Sequence, residues 1–107
     1  MNKEPENIFE SIPDIVEEEI FEILVQSENV KIERIISKGH TSPENGWYDQ
    51  VQNEWVIVLK GEAVITLERG EEVILKPGGY LNINAHVKHR VSRTAPDMET
   101  VWLAVHY

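Results

Sequence analysis

Between Gly39 and the C-terminus, short apolar runs recur at intervals of about ten residues and are separated by turn residues. They fall at residues 47–51, 54–60, 62–68, 71–76, 80–84, 89–93 and 100–107. Runs of this length, rich in Val, Ile, Leu and aromatic side chains, read as strands, and their even spacing predicts an all-β sandwich or barrel. Between Ala63–Leu67 and Val73–Leu75, the pair Arg69-Gly70 suits a tight hairpin turn, with glycine supplying the positive φ. Pro77-Gly78-Gly79 ends one strand, and Thr94-Ala95-Pro96-Asp97 makes the final turn before the last.

The first third of the chain is less regular. Over residues 14–26, Ile15, Val16, Ile20, Ile23 and Leu24 follow helical spacing, while Phe21, Ile23 and Val25 alternate as in a strand. A short lead-in, helical or extended, is expected there, feeding a strand. Ser27-Glu28-Asn29 reads as a turn and residues 30–35 as a half-buried strand, so the two segments are expected to pair as a hairpin. Residues 1–13 carry Pro5 and Pro13 and read as a loosely held arm pinned by Ile8, Phe9 and Ile12. At 107 residues, the whole chain 1–107 is expected to be one domain.

Composition narrows the functional classes. With 41% hydrophobic and 27% charged residues the chain has the makeup of a folded globular domain. It has no cysteine, which rules out disulfides, thiolate metal sites and cysteine nucleophiles. Nineteen acidic against ten basic side chains leave a net charge of −9, a field that repels nucleic acid and anionic lipid. Much of the acid sits early, from Glu4 and Glu6 through Glu17-Glu18-Glu19 to Glu28. No apolar run approaches a membrane span and no signal-peptide pattern is present, so a soluble, cytoplasmic protein is expected.

No phosphate-binding glycine loop, Gly-x-Ser-x-Gly elbow or His-Glu-x-x-His helix occurs. The chemistry that remains is a scattered set of oxygen and imidazole donors: His40, Tyr48, Asp49, Gln50, Glu54, His86, His89 and His106. His106 alternates with Trp102 and Ala104, and faces either the interior or the outer surface. Asp49 is expected to point away from Tyr48 and Gln50. Trp47, Trp55, Tyr80 and Trp102 are expected in the core or in a contact between copies.

Residues 46–61, Gly-Trp-Tyr-Asp-Gln-Val-Gln-Asn-Glu-Trp-Val-Ile-Val-Leu-Lys-Gly, and residues 77–91, Pro-Gly-Gly-Tyr-Leu-Asn-Ile-Asn-Ala-His-Val-Lys-His-Arg-Val, together resemble the two motifs of the cupin superfamily. The resemblance covers about residues 39–107 and implies a jelly-roll β-barrel of two antiparallel sheets. Such a lumen often holds a divalent metal, bound by a His-x-His pair, a glutamate and a second-motif histidine. Glu54, separated from Gly61 by six residues, and His89, after the Pro-Gly turn, match two of these positions. The His-x-His pair falls on Tyr48 and Gln50, or on Trp47 and Asp49 in the neighbouring register, and no histidine stands there.

The resemblance therefore implies a divalent metal held by Gln50, Glu54, His89 and His86, with Tyr48 and Glu54 in catalytic roles on a small polar metabolite, as in a metal-dependent isomerase or dioxygenase. The alternatives are a metal-free binding barrel and a non-catalytic assembly protein. In the binding reading, Tyr48, Gln50, Asn82, Asn84 and His89 line the lumen, with Val56, Val58 and Leu81 as apolar walls. Exposed strand edges and the tryptophans lead us to expect a homodimer.

Overall fold

In a computed structural model the chain is described over residues 4–107, and within them it is all-β, with no helix. The strands are β1 (Ile20–Gln26), β2 (Lys31–Ser37), β3 (Glu54–Lys60), β4 (Ala63–Leu67), β5 (Glu72–Leu75), β6 (Tyr80–Ile83), β7 (His89–Thr94) and β8 (Thr100–His106). They form a five-stranded sheet, β1-β2-β8-β3-β6, and a three-stranded sheet, β5-β4-β7, with every pairing antiparallel. The expected jelly-roll architecture is thus present, and β1 and β2 form the expected hairpin.

Period-two alternation decides what each strand sends inward. On β3, Glu54, Val56 and Val58 are buried while Trp55, Ile57 and Leu59 are only partly covered. On β8, Trp102, Ala104 and His106 share the buried face, which settles the side His106 takes. Ile35, Val56, Val58, Ala63, Ile65, Leu75, Ile83, Trp102 and Ala104 pack into one apolar core between the sheets. Arg69-Gly70 makes the β4–β5 turn as expected, with Gly70 at φ 95°. Gly61 is required more strictly at the β3–β4 turn. Its φ is 87°, and a Cβ there would lie 2.6 Å from Thr100 Cα and 2.4 Å from Thr100 Oγ1.

One reading from sequence is corrected, and one open alternative is resolved. Residues 47–51 are not a strand: Tyr48 makes an isolated bridge to His89, and Val51 is exposed. This segment crosses the barrel mouth, where only Tyr48 finds a backbone partner for both its N–H and C=O, at 2.8 and 3.2 Å. The lead-in before β1 is irregular over residues 14–19, so of the two expected forms it is the non-helical one that is found.

Of the apolar side chains expected to pin the arm, Ile8 and Ile12 are partly buried and Phe9 is exposed, and polar clamps add to them. Arg34, buried on the outer face of β2, donates to the carbonyls of Ile8 at 3.0 Å and Glu10 at 2.5 Å and to the Glu22 carboxylate. Met1 to Lys3, the first part of the arm, lie outside the described residues.

Candidate functional site in the barrel lumen

One end of the barrel encloses a cavity of about 170 Å³. Strand register assembles its polar floor. Glu54, at the start of β3, pairs with His106 at the end of β8, while Glu33 on β2 sits opposite Ala104, the inward neighbour of His106. His89, at the start of β7, reaches across from the other sheet. All four side chains are buried in a cavity whose apolar walls include Ile35, Val56, Ile65, Ile83, Val91 and Trp102.

The four groups form one chain of contacts. His89 Nδ1 donates to the Val87 carbonyl at 2.9 Å, and its Nε2 lies 3.2 Å from Glu54 Oε1. His106 Nε2 donates to Glu33 Oε1 at 2.8 Å and stands 3.8 Å from Glu54 Oε2. Because Nδ1–H is committed to a carbonyl, a neutral His89 would turn its Nε2 lone pair on the Glu54 carboxylate; a proton on Nε2 removes the conflict. Burial opposes that charge, but the Glu54 hydrogen bond, the Val87 carbonyl and the charge of Glu54 outweigh it and hold the His89 pKa above its ordinary value.

The remaining sequence candidates divide by position. Tyr48 and Gln50 line the cavity, and the Tyr48 ring lies 5.7 Å from the His89 ring. His86 does not line it. At φ 65° the backbone swings its ring outward, where Nδ1 donates to Asp49 at 2.8 Å, so the structure takes His86 out of the proposed ligand set. Asp49 does point away, as expected. His40 is structural: Nδ1 accepts from the Lys38 N–H and Nε2 donates to the Glu17 carbonyl. Asn82, on the outer side of β6, and Asn84, just beyond the strand, are exposed and bond to each other; inward from β6 come Leu81 and Ile83.

Sequence reasoning missed Glu33 and Glu19. The latter joins the lining and accepts a hydrogen bond from Ser37 Oγ. Phe21 also reaches the mouth.

The metal implied by the resemblance meets only part of a site. Among the described residues no group of three or more His, Cys, Asp or Glu side chains is arranged to hold a metal ion. Glu54 and His89 are engaged with each other, and His106 with Glu33. At the missing His-x-His positions stand a phenol and an amide. Of these, Gln50 Oε1 is buried without a hydrogen-bond partner, a free but uncharged oxygen that could ligate a metal. The residues as placed do not reproduce the metal centre of the superfamily.

Comparison with known proteins agrees with this geometry. No curated protein matches the chain. Among solved structures, a candidate mannose-6-phosphate isomerase from Ralstonia eutropha JMP134 is similar at 43% identity and a TM-score of 0.92, covering 97% of each chain. A cupin superfamily protein from Desulfitobacterium hafniense DCB-2 shares the fold at 21% identity and a TM-score of 0.78, covering 99% of this chain and 93% of that one. An RmlC-like cupin from Methanocaldococcus jannaschii with a double-stranded β-helix does so at 22% identity and 0.69, covering 89% and 84%. The cupin domain family model matches residues 34–106, which takes in β2 from Arg34 onward and every later strand, and the chain belongs to the cupin family.

Proposed function

We propose that this cupin binds a small polar metabolite in its lumen and moves a proton on it with Glu54 and His89. The observation that carries the reading is the buried run Glu33–His106–Glu54–His89. Taking four ionisable groups out of water is costly for folding, and an apolar filling of similar volume is often at least as stable. Their concentration in one cavity is the pattern of a site.

The chemistry follows from the charges. A Glu54 carboxylate accepts a proton from carbon beside a substrate carbonyl, while a His89 imidazolium donates one to the carbonyl oxygen; reversing both transfers at the adjacent carbon interconverts an aldose and a ketose. The likeness to a candidate sugar-phosphate isomerase supports this class of reaction. Tyr48 lines the cavity, which supports a role for it in orienting the substrate.

The test is mannose in D2O, followed by NMR. Native protein is expected to form fructose with deuterium replacing the transferred proton, and Glu54→Gln and His89→Gln to abolish it. Equal exchange in the variants, or none with native protein, overturns the reading.

A second reading, a divalent metal held by Glu54, His89 and Gln50, is favoured by the unpartnered Gln50 Oε1 alone. It requires manganese, nickel or zinc to raise the unfolding temperature of native protein and not of Gln50→Leu or His89→Gln.

A further inference from the structure

The lumen contains carboxylates and no permanent cation. Glu19, Glu33 and Glu54 line it, and among the described residues no Lys or Arg does. Strand alternation is the reason. Arg34 follows Glu33 but points to the opposite face, where it clamps the arm and Glu22. Arg90 follows His89 and likewise points out, lying 5.3 Å from the Trp47 ring centroid and bonding the Glu44 carbonyl. Three carboxylates against two imidazoles leave the lumen negative even with both rings protonated, inside a chain of net charge −9.

What the lumen offers a ligand is mostly acceptors. Carboxylate oxygens cannot donate, and the buried Gln50 Oε1 has no donor facing it. The walls add Phe21, Tyr48 and Trp102, flat apolar faces suited to the C–H faces of a sugar ring. At about 170 Å³ the space is below the roughly 300–1,000 Å³ of drug-sized pockets.

We infer that the ligand is a small polyhydroxylated molecule, with or without an amino group, that carries no phosphate. This rests on the lumen reading above and departs from the phosphorylated sugar named for the similar Ralstonia protein. Hydroxyl or ammonium hydrogens satisfy the acceptors, whereas a phosphate ester brings its charge toward Glu54 and Glu33 with no Lys or Arg to meet it. A repulsion of even about 1.4 kcal/mol at such range weakens binding roughly tenfold.

Calorimetric titration of the full chain with mannose, mannosamine and mannose 6-phosphate tests this, since mannose differs from each of the other two at one substituent. We expect mannose or mannosamine to bind at least roughly tenfold more tightly than the phosphate ester. Preference for mannosamine assigns an amino-bearing ligand, and parity with mannose a hydroxylated one; both support the inference. Mannose 6-phosphate binding as tightly as mannose, and losing affinity in His89→Gln, overturns the inference while leaving the lumen site standing. Binding of none of the three at millimolar concentration removes the sugar-type ligand altogether.

Discussion

Replacing Glu54 by Gln keeps the shape of the side chain and removes its charge, so it isolates the electrostatic content of the Glu54–His89 contact. Both side chains are about nine-tenths buried or more, at 11% and 6% exposure, so solvent screens the pair little. A hydrogen bond to a charged group contributes about 1.5–3 kcal/mol, and that is the expected loss near pH 6, where His89 carries its proton. On a domain of this size the loss lowers the unfolding temperature by something on the order of 10 °C.

The pH dependence supplies the sign. The folded state raises the His89 pKa above the unfolded value of about 6.5, so the pair's contribution is complete below that pH and fades as pH rises through the folded value. In the Glu54→Gln variant the introduced amide donates to the Nε2 lone pair of neutral His89, and this fading disappears. Denaturant unfolding of both proteins between about pH 6 and pH 9 is therefore expected to show a gap that closes as pH rises. A gap of constant size would refute a charge-assisted contact.

Two further substitutions probe the frame around the site. Gly61→Ala forces a Cβ at positive φ against Thr100, so it is expected to cost more than the roughly 1–3 kcal/mol of such backbone strain alone; Gly70→Ala, with open space around it, is expected to cost only that strain, and equal losses in denaturant unfolding would contradict the close approach. Arg34→Ala removes the clamp on Ile8, Glu10 and Glu22, so limited proteolysis is expected to cut within residues 4–19 well before the barrel, whereas native-like resistance would show that the arm is held otherwise.

Glu54 and His89 were legible through the resemblance to the two cupin motifs, whose fixed points are short-range features: Gly61, which the β3–β4 turn demands, and the Pro-Gly turn before β6. Their partners were not, because register decides them. His106 and Glu33 are 73 residues apart and meet only because β2 pairs with β8. The alternation of His106 with Trp102 and Ala104 carried the needed signal once Trp102 was taken as core. Glu33 gave no such sign, since β2 is covered on both faces, with Arg34 and Ile36 as buried as Glu33 and Ile35. His86 misled through its closeness to His89, where one positive φ reverses the direction of the ring. The run at 47–51 misled because its apolar residues cross the mouth instead of lying in a sheet.

The ionised Glu54–His89 pair underlies both the proposed proton transfer and the charge argument for the ligand, and side-chain ¹⁵N NMR of His89 across a pH titration observes it without a ligand. Nδ1 is expected to keep its proton throughout, held by Val87, and Nε2 to lose its proton only above the ordinary histidine value of about 6.5. Loss of the Nε2 proton at or below that value, or a neutral ring protonated on Nε2 instead of Nδ1, would contradict the pair.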